Sequence, residues 1–260
     1  MDYKAFTIKT LTNMHVGGGD ADFGVVDNLV QRDPVTKHPT IYSSSLKGAL
    51  REYFNGENYR DYIFGVEAKK ENDRKTEPGH YRFFAASLLA IPVRSNAKPF
   101  FMATTPSVLM EFINTMKTFS VAIDGMEVFE KLSKIGTQGG KALIHENLTA
   151  KIEDWDAVRN EAIPASSPIL GENIALLSED DFKELTAQLP VIARNHLENG
   201  KSTNLWYEEI VPRESRFYFI VGYGEQYQAE FESKIQEGLV QIGSNASIGY
   251  GFTKITKIGG

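Results

Sequence analysis

The chain contains no cysteine. Disulfides and thiolate metal sites are therefore excluded, and stability has to come from packing. No apolar run approaches the ~18 residues that a membrane helix needs. The opening residues, MDYKAFTIKT, alternate like a strand and lack the apolar core of a signal peptide. The expectation is a cytoplasmic protein with no membrane partner. Histidine is scarce: the five, at 15, 38, 80, 145 and 196, never pair at metal-ligand spacing, which argues against zinc. Positive charge is also in deficit. Lys and Arg total 28 against 34 Asp and Glu, a net charge of -6. Taken alone, that balance argues against a nucleic-acid binder. Net charge averages the whole surface, however, and one groove can still be basic.

What is present is ordinary for a folded domain. The 260 residues suffice for one large core or two small ones, and the 42% hydrophobic and 24% charged fractions are typical of globular chains. Phe6 and Ile8 mark a first strand. TIYSSSLKGALREYF starts a helix: Ser44 or Ser45 suits the N-cap, and Leu46, Ala49, Leu50 and Tyr53 recur at helical spacing. Residues 66–80 are charged and turn-rich, which predicts a mobile loop. RFFAASLLAIPV (82–93) reads as a buried strand, and Pro106 opens a helix running to about Lys117. ALIHENLTAKI reads as strand. SEDDFKELTAQL is a helix, with Ser178 and Asp181 at capping-box spacing. Two extended arms flank Asn199-Gly200, a hairpin signal. RFYFIVGY is a strand, EQYQAEFESKIQEG a helix closing on Gly238, and GSNASIGYGFTKITKI a glycine loop entering a last strand. No internal repeat is visible. The two ends each read strand–helix–strand around a large insertion. That pattern predicts an α+β, ferredoxin-like fold.

Several familiar motifs fail on inspection. Asp20-x-Asp22 begins like a calcium loop, but Val25 holds the glycine position and Gln31 the twelfth. GTQGGKA (136–142) has the wrong glycine spacing for a phosphate loop, and Ala142 replaces its Ser/Thr. IGYGFTKI (248–255) matches an RNA-recognition motif only in part, with Ile248 and Thr253 out of pattern.

Two stretches survive. In HVGGGDADFGVVDNLVQRD (15–33), four glycines and four aspartates fall behind a lone histidine. Gly17, Gly18 and Gly19 would let a ligand backbone lie close. Asp27 stands among residues suited to a polyanion, where an acid is costly unless it binds metal or takes a proton. The same pattern also fits a turn or capping aspartate, and His15 fits a structural histidine. In SSSLKGALR, Lys47 and Arg51 stand four apart opposite the apolar face. A lysine in the first turn opposes the helix dipole. With Ser44 and the free first-turn amides, the pair makes a phosphate cradle; the alternative is a solvated face. Gly243, Gly249 and Gly251 form a second stretch open to a ligand backbone, or a plain tight turn.

Taken together, these residues resemble the RAMP superfamily of CRISPR proteins, in particular the repeated backbone subunit of type III-B (Cmr) effector complexes. HVGGGDADFGVVDNLVQRDPVTKHPTIYSSSLKGALR is similar to that family's opening signature. SLLAIPVRS and PFFMATTP resemble its central segment, and LWYEEIVPRES and GSNASIGYGF its C-terminal markers. Residues 119–177 carry little of the match.

The resemblance implies a single RAMP domain over 1–260. Its palm would occupy about 1–93 and 214–260, as a modified RNA-recognition-type core. An insertion at about 94–213 would hold a thumb hairpin at about 190–210. It also implies that copies stack along a guide RNA with other Cmr subunits and cut complementary target RNA at regular intervals, in antiviral defence. The family's cleavage aspartate falls on Asp27, and its guide-phosphate contacts on Ser44, Lys47 and Arg51. Activity would depend on a divalent metal ion, magnesium or manganese, with Asp27 as its ligand. His15, Tyr207 and Glu208 are secondary catalytic candidates, although WYEE (206–209) also fits an edge strand. Three rival functions stand beside this one: a guide-binding scaffold without cleavage, the equivalent type III-A subunit, and an enzyme that cuts guide precursors.

Overall fold

A computed structural model describes residues 1–19, 25–66, 76–198 and 201–259. The first elements are strand β1 (Asp2–Thr10), helix α1 (Ser43–Tyr53) and strand β2 (Ala86–Val93). The middle of the chain adds β3 (Phe101–Thr104), α2 (Pro106–Thr118), β4 (Lys141–Ile144), β5 (Trp155–Arg159), β6 (Ile174–Leu176) and α3 (Glu179–Ala187). A hairpin follows, β7 (Val191–Glu198) and β8 (Lys201–Glu209). The chain then returns through β9 (Arg216–Tyr223), α4 (Gln228–Glu237) and β10 (Phe252–Ile258).

These elements build an α+β fold around one large mixed sheet. At its heart the order is β10–β1–β9–β2, with every neighbour antiparallel. The inserted strands continue the same sheet: β3 pairs with β2, β6 with β3, β4 with β6 and β5 with β4. The insertion thus shares the core of the chain ends.

Aromatic packing decides which face each helix covers. Phe6 of β1 stacks on Phe219 of β9 with centroids 5.4 Å apart, and meets Phe231 of α4. Phe231 stacks on Phe54, just past α1, at 5.2 Å. On the opposite face, Phe112 of α2 meets Tyr218 of β9 at 4.9 Å. Alternation along β9 sends Phe219 one way and Tyr218 the other. Both faces are covered, so β1 is buried from Ala5 to Ile8. Burial in this aromatic setting pushes the Tyr218 hydroxyl up to about 12.

Several expectations need correction. Neither Ser44 nor Ser45 caps α1; Tyr42 occupies the N-cap and supplies no side-chain bond. Residues 82–93 do not form one strand: Arg82–Phe83 and Ala86–Val93 are separate, with Phe84 partly exposed between them. ALIHENLTAKI breaks into Lys141–Ile144 and Lys151–Ile152. Helix α4 starts only at Gln228, because Tyr227 takes a left-handed φ of 66°. Gly238 does end α4, but in extended geometry. A Cβ there would lie 2.6 Å from the Tyr53 hydroxyl, which accepts the Gly238 N–H at 3.0 Å. The capping reading at Ser178 agrees with the structure, its hydroxyl accepting the Asp181 N–H at 3.2 Å; Thr105, just before Pro106, caps α2 in the same way, accepting from Val108 at 3.2 Å.

Most of the turn-rich segment, residues 67–75, and the hairpin turn Asn199-Gly200 lie outside the described residues. So do Asp20, Asp22 and Gly24. Among the described residues, no helix is long and apolar enough to cross a membrane.

The Phe231 cluster yields a stability prediction. Phe231→Ala should lower unfolding stability by about 3–5 kcal/mol, the usual cost of emptying a phenylalanine site. Guanidinium denaturation of the purified chain measures it. A loss below ~1 kcal/mol would show that the cluster does not anchor α4.

Candidate nucleic-acid interface

The 15–33 stretch leaves β1 and doubles back on itself. Gly17 bridges to Val30, the Gly18 N–H donates to Leu29 at 2.9 Å, and the Gln31 N–H donates to Val16 at 2.8 Å. Gly17, Gly18 and Gly19 remain exposed. His15, by contrast, is buried, with Nδ1 2.7 Å from the Glu209 carbonyl. A carbonyl only accepts, so Nδ1 carries its proton there.

Two buried side chains, neither picked out from sequence, hold this loop in place. Gln31 donates to the Gly17 carbonyl at 3.1 Å and to Ser45 Oγ at 2.8 Å, and accepts from the Tyr42 N–H at 2.7 Å. One amide thereby joins the glycine loop to the start of α1. The Glu209 carboxylate accepts the Val30 N–H at 3.0 Å and pairs with Arg32. Arg32 in turn donates to the Thr186 carbonyl at 2.6 Å. Burying a charge is costly unless it is paired and bonded. Here that condition locks the loop, the foot of the hairpin and the end of α3 together.

Asp27 sits against β8. Its N–H and that of Asn28 both lie 3.1 Å from the Tyr207 carbonyl, and its Oδ2 accepts the Tyr207 N–H at 2.7 Å. The residue is nevertheless exposed, so the carboxylate can be reached. The Tyr207 ring is 37% exposed, enough to meet a ligand. Glu208 is buried and accepts from Arg194 at 3.2 Å, Trp206 at 2.9 Å and Asn245 at 3.0 Å. The Arg194 guanidinium lies 5.7 Å from the ring centres of both Trp206 and Tyr250. The hairpin is tied in this way to the last glycine loop.

Within that loop the glycines divide by role. A Cβ on Gly251 would lie 2.0 Å from the Ile242 carbonyl, and one on Gly243 would lie 2.3 Å from the His15 carbonyl. Both close approaches are to this chain, which gives a packing reason for glycine at each position. Gly249 has a φ of +85° with nothing within 4 Å, so its open side can face a ligand.

On α1, Ser44, Lys47 and Arg51 line one groove of about 340 Å³, facing Gly65 and Glu77. Gln31 ties the Asp27 loop to Ser45 on the same helix. Among the described residues, no three His, Asp, Glu or Cys gather as a metal-ligand set.

The model of the RAMP superfamily matches residues 7–254. The chain belongs to the RAMP superfamily. Relatives within it narrow the placement. This RAMP chain is 28% identical to the Cmr endoribonuclease Cmr4 of Pyrococcus furiosus, over 95% of this chain and 92% of that one. Its fold overlays the type III-B Cmr-beta apo cryo-EM structure with a TM-score of 0.79, at 25% identity, over 98% of this chain and 97% of that one. The Cmr-beta structure bound to cognate target RNA gives a TM-score of 0.78 at 25% identity, over 99% and 97%.

The division among the loop glycines predicts a contrast. Gly249→Ala should fold and cost about 1–2 kcal/mol, the ordinary left-handed penalty. Gly251→Ala meets a backbone carbonyl as well and should fail to yield soluble, cooperatively melting protein. Equal melting temperatures for the two variants would refute the division.

Proposed function

We propose that this chain is the guide-RNA-binding backbone subunit of a type III-B effector, and that Asp27 cuts complementary target RNA. The observation that carries this reading is the setting of Asp27. Its exposed carboxylate is held by the foot of a projecting hairpin, on a loop pinned to a cationic helix start. We read the chain as one RAMP domain. The palm, about 1–93 and 214–260, is ferredoxin-like, a reading supported by the antiparallel order β10–β1–β9–β2. The insertion spans about 94–213, and its hairpin, about 190–210, is the thumb.

Guide phosphates would lie along α1. Its first turn has no side-chain cap. A phosphate there would accept those amide protons, with Ser44 as donor and Lys47 and Arg51 supplying charge. Copies stacked along the guide, with other Cmr subunits at the ends, would join these grooves into one track. Binding along the strand would then be cooperative.

Cleavage needs little beyond geometry. The thumb displaces a base, freeing its ribose. The 2'-oxygen attacks the adjacent phosphorus, the P–O5' bond breaks in line, and Asp27 takes the 2'-hydroxyl proton. The leaving 5'-oxygen takes a proton from water. His15, held through Nδ1 by Glu209, and Glu208, held by Arg194, Trp206 and Asn245, position the loop and thumb; the Tyr207 backbone positions Asp27. Among the described residues no set of three metal-ligating side chains gathers at Asp27, and one of its oxygens is already engaged. A magnesium or manganese ion, where one takes part, would be held by Asp27 together with RNA phosphate and would supply charge neutralisation there. No step above is routed through it.

Asp27→Asn and Asp27→Ala in reconstituted complexes test the assignment. Asparagine can still accept the Tyr207 N–H but cannot take a proton. Both variants should lose target cleavage by orders of magnitude while RNA affinity stays within a few-fold. Doped among wild-type copies, they should weaken evenly spaced cuts in proportion without moving them. Full cleavage by Asp27→Asn would leave a non-catalytic scaffold as the better reading.

Lys47 and Arg51 are proposed phosphate contacts. Replacing both with alanine should weaken RNA binding regardless of base sequence. The log–log salt slope should fall by about 1–2, at ~0.7 per phosphate on single strands. Fluorescence anisotropy at several salt concentrations reads it, and an unchanged slope would assign the pair to a solvated helix face.

A further inference from the structure

A second cleft, of about 520 Å³, opens where β9 begins. It shares no lining residue with the α1 groove, and its volume suits a small ligand. Lys9, Phe100, Ser166, Ser167, Glu214 and Arg216 line it. Charge there is unevenly satisfied. Lys9 pairs with Glu214 at 2.7 Å. Arg216 is half-buried, and its Nε is shut off from water with no hydrogen-bond partner. Among the described residues no carboxylate pairs with its guanidinium. Burial holds that guanidinium below its usual range, against the pull of Glu214.

A guanidinium offers five donors in a rigid fork and cannot shed its charge near neutrality. Leaving it out of water without an anion is destabilising. The wall beside it is also kept open. Gly171 has a φ of +102°, and a Cβ there would lie 3.4 Å from Arg216 Nη2. Ser167 Oγ accepts from Ile169 and Leu170, both at 3.3 Å, which leaves its proton to donate. Phe100 is half-buried and gives the cleft a flat apolar wall. Glu172, at the rim, is exposed and solvated.

We propose that this cleft binds a nucleotide, with its phosphate on Arg216 and the Ser166–Ser167 hydroxyls and its base against Phe100. Fork and phosphate match in geometry as well as charge, and base–aromatic stacking tolerates any base. The nucleotide is either free or part of an RNA strand, and the phosphate chemistry is the same for both. The site does not depend on the assignment of Asp27.

The test uses the whole chain with Arg216→Met and Arg216→Lys, each probed with AMP by calorimetry and with a labelled oligouridine by anisotropy. For a free nucleotide, wild type binds AMP, Arg216→Met weakens binding at least tenfold, and Arg216→Lys, which keeps charge but loses the fork, weakens it a few-fold. Phe100→Ala should then weaken AMP but not inorganic phosphate. For a strand-borne nucleotide, AMP does not bind. Arg216→Met then lowers the oligouridine salt slope by about 0.7, in addition to the effect of Lys47→Ala. In either case Arg216→Met should melt no lower than wild type, because an unpaired half-buried charge has gone. The proposal is overturned if both variants bind AMP and RNA as wild type does, or if Arg216→Met melts well below it. It is equally overturned if self-association is lost while nucleotide binding survives.

Discussion

The buried carboxylate of Glu209 is the constraint on which the interface depends. It cannot remain charged inside the protein without partners, and those partners lie far apart in sequence. Its oxygens take up the Val30 N–H and Arg32, its carbonyl faces His15, and its N–H donates to Asn28 at 2.9 Å. Removing one member of such a set would strand the others, and breaking a buried pair costs about 3–5 kcal/mol. The exit of the first strand, the returning arm of the glycine loop and the foot of the hairpin are held as one piece. Asp27 lies within that piece, so its position follows from a charge that does no chemistry itself.

Gln31 and Glu208 extend the same logic outward. Gln31 spends its whole amide on Gly17, Ser45 and Tyr42, which couples the loop to α1. Glu208 ties the hairpin to Asn245 in the last glycine loop. Buried polar networks of this kind rigidify when every member is satisfied. The result is a rigid frame carrying exposed groups, Asp27, Tyr207 and Gly17 to Gly19, beside the half-buried α1 cations. A net charge of -6 is no obstacle to such a design. Many of the acids pair locally, as Lys9 with Glu214 and Lys257 with Glu232 do, while Lys47 and Arg51 share one groove.

Much of the fold was legible because it rests on short-range rules. The proline that opens α2, the Ser178 cap, the helical spacing of Leu46 and Leu50, and the run RFYFIVGY each carry a local signal that tertiary contacts reinforce. The failures have one cause, which is contact with distant residues. Ser45 lies inside α1, where its hydroxyl accepts from Gln31 and caps nothing. Gly238 is glycine because Tyr53 approaches it, and Gly251 because Ile242 does. Nothing in the neighbouring sequence announces any of these.

The sequence alone determined the strand–helix–strand ends, the absence of thiolate chemistry, the cationic helix start and the singular placing of Asp27 behind a glycine run. These are properties of composition and of spacing within a few residues, where backbone preference and side-chain chemistry act directly. Only the tertiary structure decided that the middle strands join the sheet of the chain ends, that Glu208 and Glu209 are buried anchors, and that Gly243 and Gly251 serve packing while Gly249 faces open space. It also decided that no carboxylate among the described residues pairs with the half-buried Arg216. Each of these depends on burial and on partners that the local pattern does not name, from Ile242 against Gly251 to His15 against Gly243, and a side chain's environment is set by whatever the fold brings against it.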